Sequence, residues 1–162
     1  MILGNGSIGR LVAEHAMIEG YSDSCLESAG YDLRVGRAYH IMSDSFVGES
    51  ERKTPEVKEI NSQKITLKPN EYMLIETHEK VNMPSDIMAR ILPRSTIFRC
   101  GCTLVTAVVD PGYHGTLTMG LKNLSDREFT IEKMARIAQI VFEEVKDASK
   151  KYEGKYQGGK VV

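Results

Sequence analysis

The chain has 162 residues, which suits one domain (1–162) with one core and is too short for two ordinary ones. Apolar residues make up 41%, and 21 Lys and Arg stand against 22 Asp and Glu. That balance argues against a nucleic-acid or membrane-surface binder but leaves room for a small anionic ligand held by a few local cations. Three cysteines fit a reducing compartment better than a disulfide scaffold. No apolar run approaches the roughly 18 residues of a membrane span, and no signal-peptide pattern opens the chain, so the expected location is cytoplasmic.

Residues 5–19 read as the only sizeable helix. Asn5 or Ser7 can cap it, Ile8, Leu11, Val12 and Ile18 form its apolar stripe, and Gly20 ends it. His15 lies on that stripe as a half-buried packing residue. In the segment 28–36, Tyr31, Leu33 and Val35 alternate with Asp32 and Arg34, as on a half-buried strand that continues through 38–42, and on that local pattern alone Asp32 and Arg34 read as its solvated face. Residues 43–61 are polar and without period, which predicts a surface loop. Strands follow at 64–67 and 71–77, joined by a Pro69-Asn70 turn, and at 87–92.

The stretch from Pro93 to Asn123 is the most informative. Pro93-Arg94-Ser95-Thr96 offers a cation, two hydroxyls and backbone amides, and a short helical turn beginning there would aim those amides at an anion. Thr103 to Val109 is rich in β-branched residues and suits a buried strand. Asp110-Pro111-Gly112 turns the chain, and Thr116 to Leu121 alternates well enough to run back as a partner. Strands are then expected at 128–131 and 136–144. The tail, 151–162, is glycine-rich and cannot pack alone, so it is expected to be flexible until it covers something. Many short strands and one helix imply an all-β sandwich or barrel.

Several chemistries fail on spacing. One C-x-C, at Cys100 and Cys102, with His40, His78 and His114 scattered singly, does not make a zinc site. Two small apolar thiols on one strand face is the better reading. No G-x-S-x-G, P-loop or H-x-E with C-x-x-C pattern occurs. A carboxylate–phosphate site is stronger. Asp110 and Asp32 are of the type that holds Mg²⁺ through oxygen or water, and Arg94 could offset charge on a phosphoryl group. Taken alone, each Asp reads better as an ordinary turn or strand residue.

Four short motifs add what spacing cannot. Ser28 to Leu33 (SAGYDL), Pro93-Arg94-Ser95, Val109-Asp110 with Tyr113 and Gly115, and Arg136-Ile137-Ala138-Gln139 stand in the order of dUTPase motifs. The N-terminal helix, Tyr31 to Gly36, Asp110-Pro111-Gly112 and Lys155-Tyr156-Gln157-Gly158 look more like the sibling dCTP deaminases. The chain therefore resembles the dUTPase/dCTP deaminase superfamily over nearly its whole length.

That resemblance implies a distorted jelly roll, a homotrimer with sites between subunits, and a Mg²⁺–nucleoside triphosphate ligand. It also informs the choice of branch. The deaminase run D-P-G-W-S-G-x-x-x-x-E would place its Glu at Gly120, and glycine cannot accept a proton. Val108 stands where those deaminases often carry Arg. Thr106 to Asp110 matches the length of the dUTPase turn A-G-V-I-D. The branch implied is a dUTPase, converting dUTP to dUMP and pyrophosphate. The alternatives are a dCTP deaminase, alone or bifunctional, and a non-catalytic nucleotide-binding regulator.

By the same resemblance, Asp110 activates the water and Arg94 stabilises the transferred charge. Ser95, Thr96, Arg99 and Gln139 contact phosphates, Asp32 holds Mg²⁺ through water, and backbone groups of the hairpin that includes Thr106 and Val108 read uracil. Tyr113 lies against deoxyribose, and Tyr152, Lys155 and Gln157 belong to a closing lid. Gly112 departs from the second Asp of many dUTPases, and the tail lacks R-G-x-x-G-F-G-S-T-G.

Overall fold

The computed structural model describes residues 1–147 and 149–162. The chain runs α1 (Asn5–His15), β1 (Ile18–Glu19), a single 3-10 turn, β2 (Leu26–Glu27), β3 (Gly30–Ile41), β4 (Phe46–Val47), β5 (Arg52–Lys53), β6 (Val57–Glu59), β7 (Lys64–Leu67), β8 (Tyr72–Asn82), β9 (Ile87–Pro93), α2 (Ser95–Arg99), β10 (Cys102–Val105), β11 (Val108–Val109), β12 (His114–Asn123), β13 (Phe129–Glu132) and β14 (Arg136–Glu144). Every strand pairing is antiparallel. The expected all-β, jelly-roll-like fold with an N-terminal helix is what the chain adopts.

One strand organises it. The first half of β3 pairs with β14, from Tyr31↔Ile140 to Arg34↔Arg136. The second half pairs with β8, from Val35↔Thr77 to Tyr39↔Leu74. The register of that second pairing shifts between Val35 and Arg37, and the strand bends there. Gly36 stands at the bend because a Cβ would lie 2.7 Å from the Thr77 carbonyl oxygen. The sheet order β10-β12-β8-β3-β14-β9-β11 therefore curls on itself at β3. Tyr31, Leu33, Ile75, Met119, Ile140 and Phe142 fill the space it encloses and are fully or almost fully buried. Each such side chain contributes roughly 1.5–3 kcal/mol by leaving water.

Two buried acids hold the strand crossing. Glu79 accepts from Arg34 Nε at 2.6 Å, Arg34 N at 2.9 Å and the Tyr31 hydroxyl at 3.3 Å. Glu76 accepts from Tyr39 at 2.7 Å, Arg37 at 2.9 Å and the Thr116 hydroxyl at 2.6 Å. Burial alone would raise the Glu76 carboxyl, but the hydrogen bonds from Thr116, Tyr39 and Arg37 outweigh it and hold it below its ordinary value.

Several local expectations are corrected. The helix starts after Gly4, with no side-chain cap, and stops at Ala16 in the left-handed region at φ 49°. Ala16 N and Met17 N bond to Val12 and Leu11 carbonyls, which closes the helix and sends Met17 and Ile18 into the core. His15 is exposed, not half-buried. Residues 43–61 contain β4, β5 and β6, and β6 extends the sheet beside β3. β7 pairs with β13, not with β8. Asp32 is only 2% exposed, so neither it nor the ion-paired Arg34 belongs to a solvated strand face. The two thiols do not share a face either, for Cys102 is buried and Cys100 is exposed past the end of α2.

Replacing Glu79 by Ala strands Arg34 and Tyr31 and is expected to cost about 3–5 kcal/mol of unfolding free energy in urea titrations. The Glu76 contribution is fully present above the unfolded-state carboxyl value and is lost as pH falls through the lower folded value. The urea midpoint is accordingly expected to fall between about pH 5 and pH 3, and less steeply in Glu76→Gln.

Candidate active site

β10 and β12 begin as an ordinary hairpin, paired from Cys102↔Asn123 to Val105↔Gly120. The pairing stops there. After Thr106 and Ala107, β11 pairs instead with β9, Val108↔Arg90 and Val109↔Ala89. The Thr106 hydroxyl donates to the Ile91 carbonyl at 2.8 Å and fixes the departure. The predicted single strand 103–109 is thus two, because its halves are claimed by opposite edges of the curled sheet.

A cavity of about 460 Å³ lies along the parted arms, a size ordinary for a small-molecule site. Val105 to Asp110 line one side and Leu117 to Gly120 the other. Among the described residues, Thr106 and Ala107 enter no backbone–backbone hydrogen bond outside the strands, and the buried Thr118 hydroxyl has no partner. Unspent peptide groups and an orphaned hydroxyl beside an apolar wall suit a flat, polar-edged ligand.

Asp110 lines this cavity and is exposed. Its carboxylate has no hydrogen-bond or ion-pair partner among the described residues. The turn that presents it is closed by Tyr113 N to Asp110 O at 3.2 Å, with Gly112 at φ 79°. Tyr113 is buried and donates to the Thr116 carbonyl, and its ring meets Tyr152 edge-on at 5.3 Å. Burial, chiefly, pushes the Tyr113 phenol up to about 12. At the other end of the cavity, Gly120 has no room for a side chain. A Cβ there would overlap the Tyr72 hydroxyl and stand 2.6 Å from two ring carbons.

The tail lies on this same hairpin. Tyr152 N donates to the Pro111 carbonyl at 2.9 Å, and Gly158 N to the His114 carbonyl at 2.9 Å. The Gln157 side chain accepts from His114 N at 3.1 Å and donates to Gly112 O at 3.0 Å. Lys155 Nζ reaches the Thr54 hydroxyl at 3.1 Å. Gly115 and Gly159 meet so closely that a side chain on either would strike the other segment's backbone. Tyr152, Tyr156 and Val162 complete the cavity lining.

The remaining predicted residues form a second group. Arg94 Nε pairs with Asp32 Oδ2 at 2.9 Å, and Arg136 Nη1 reaches the same oxygen at 3.2 Å. Gln139 stands opposite Asp32 across β14 and β3, and its side chain covers Gly30. Ser95, Thr96 and Arg99 follow on α2, with Arg99 over the Phe98 ring at 5.6 Å. None of Arg94, Ser95, Thr96, Arg99 and Gln139 lines the Asp110 cavity. Within one chain Asp110 and the cation group are therefore separate.

Asp32 does not have the setting of a water-fringed metal ligand, because it is buried and engaged by two guanidiniums. Burial raises its carboxyl, against the pull of Arg94 and Arg136. No group of three or more His, Cys, Asp or Glu among the described residues could hold a metal ion. Residues not anticipated from sequence are Tyr72, Glu76, Thr116 and Thr118. The alternation of β8 and β12 marks strands, but only the pairing register turns these side chains toward the hairpin.

A dCTP deaminase-like family model matches residues 2–145. A dCTP deaminase of Pyrococcus abyssi is 35% identical over 152 residues, covering 93% of this chain and 92% of its own. A probable deoxyuridine 5'-triphosphate nucleotidohydrolase of Archaeoglobus fulgidus is 30% identical over 161 residues, covering 97% and 96%. Among solved structures, the 2'-deoxycytidine 5'-triphosphate deaminase of Agrobacterium tumefaciens superposes with a TM-score of 0.73 at 20% identity, over 90% of this chain and 48% of that one. A Staphylococcus bacteriophage 80alpha dUTPase with dUpNHpp gives 0.53 at 20% identity, over 85% and 95%. At such identities the structural likeness carries the fold, while the match over residues 2–145 and the curated relatives carry the family. The chain belongs to the dCTP deaminase-like family, whose curated relatives include enzymes named for dCTP and for dUTP.

Proposed function

We propose that the chain is a dUTP diphosphatase, hydrolysing dUTP to dUMP and pyrophosphate. The observation that carries this is the free Asp110 carboxylate at one end of the parted hairpin, with Gly120 and Tyr72 at the other. Asp110 takes a proton from a water, whose oxygen bonds to the α-phosphorus. The bond from that phosphorus to the bridging oxygen breaks, and pyrophosphate leaves with the electron pair. Peptide groups at Thr106 to Val108 pair with the uracil edge, and Tyr113 packs against the sugar. Tyr152, Lys155 and Gln157 close over the nucleotide and exclude other water. Mg²⁺ enters chelated by the triphosphate, and no step is assigned to it.

The separation of the two residue groups supports a homotrimer with its site between subunits. Arg94, Ser95, Thr96, Arg99 and Gln139 of one subunit then receive the phosphates of a nucleotide whose base lies in its neighbour's hairpin. Exposed Leu92, Phe98, Val105 and Val108 supply apolar surface for such a contact. Inside a reducing cytosol this activity removes dUTP and supplies dUMP.

A second reading, dCTP deamination, is favoured by the name of the 35%-identical relative. Against it stands Gly120, which carries no acid and whose side-chain space belongs to Tyr72. Incubation with Mg²⁺ and dUTP or dCTP separates the two, and the expected result is pyrophosphate from dUTP and no ammonia from dCTP.

Asp110→Asn is expected to lower kcat by about 10²- to 10⁴-fold while an imido analogue of dUTP still binds. An unchanged rate would remove Asp110 from its role. Mixing inactive Asp110→Asn and Arg94→Ala subunits, after dissociation and reassembly, is expected to restore about one quarter of wild-type sites. No restoration would place both residues in one subunit's site.

A further inference from the structure

We infer that Tyr72 is the specificity-determining residue of the cleft, closing its far end against the C4–C5 edge of the pyrimidine. The inference rests on the diphosphatase reading above and extends it to base selection. Asp110 and Tyr113 lie together at the turn, so the α-phosphate and sugar occupy that end. The base then extends toward the last paired rung, Val105↔Gly120. Because N1 carries the sugar, the ring atoms pointing farthest from it are C4 and its neighbours N3 and C5. Uracil, cytosine and thymine differ only at N3, C4 and C5. Whatever stands at the rung therefore meets the distinguishing edge.

Gly120 presents no side chain there, and the Tyr72 ring and hydroxyl occupy that space. Tyr72 reaches it diagonally. Its own partner in the β8–β12 pairing is Lys122, while Gly120 lies opposite Leu74. The hydroxyl has no hydrogen-bond partner among the described residues, and burial pushes the phenol above its ordinary value, so it stays neutral. It is free to meet the C4 substituent, and the ring leaves no space for a C5 substituent. Tyr72 and Gly120 form a large–small pair, and a smaller residue at 72 lengthens the cleft without touching Asp110.

The test compares kcat/KM of the full chain for Mg²⁺–dUTP and Mg²⁺–dTTP in wild type, Tyr72→Phe and Tyr72→Ala. Wild type and Tyr72→Phe are expected to disfavour the 5-methyl substrate, since both keep the ring. Tyr72→Ala is expected to narrow the dUTP:dTTP ratio by about 10- to 200-fold, the range one methyl group commands in a fitted pocket. An unchanged ratio in Tyr72→Ala overturns the inference. If that variant does not fold, Tyr72→Leu carries the same comparison with the same two outcomes. Dissociation constants of the imido analogues of dUTP and dTTP report the ratio without turnover. Selective binding that Tyr72→Ala abolishes, with no hydrolysis by wild type, would sink the diphosphatase reading and sustain the role of Tyr72.

Discussion

The parting of one hairpin is the constraint on which the candidate site depends. β10 is bonded to β12 and β11 to β9, and these partners lie on opposite edges of the curled sheet. The segment between them, Thr106-Ala107, cannot satisfy both. Among the described residues its peptide groups find no partner in the turns and loops, and the space beside them is left as a cavity. A continuous hairpin would have paired those groups and filled that space. The same parting puts Asp110 at a turn where, among the described residues, its carboxylate has no ion-pair partner. The proposed recognition of a base edge and the proposed activation of a water would thus have a common structural origin.

Buried ion pairs set the frame around it. Arg34–Glu79 and Arg37–Glu76 pin the crossing strand to β8 where the sheet bends. Glu76 also accepts from Thr116, whose carbonyl receives the Tyr113 hydroxyl. The bend in the sheet and the posture of Tyr113 are therefore linked through one carboxylate. Arg94 is held by Asp32 in the same way. Such pairs add little net stability against apolar replacements of equal volume, but they fix orientation. Orientation is what the phosphate role proposed for Arg94 would require, since a misplaced charge loses most of its value to transition-state stabilisation.

The motifs around Asp110 and Arg94 and the alternation of most strands could be read directly. β14 at 136–144 and β7 at 64–67 coincide with their apolar patterns, because each keeps one face inward along its length. The short strands within 43–61 were not legible, since β4 and β5 are exposed pairs with no apolar face to mark them. Asp32 and Arg34 looked solvated because local alternation cannot reveal that β14 and Glu79 cover them. The partition of the site residues into two groups was invisible for the same reason. Register and sheet closure decide which side chains meet, and both are non-local. Tyr72 is the clearest case, forty-eight positions before Gly120 and significant only because the strands pair as they do.

The most direct test of water attack at the α-phosphorus is hydrolysis of Mg²⁺–dUTP by the wild-type chain in ¹⁸O-labelled water, with both products analysed by mass spectrometry. The account predicts one labelled oxygen in dUMP and none in pyrophosphate. Label in pyrophosphate, or release of ammonia from dCTP with its triphosphate intact, would contradict it.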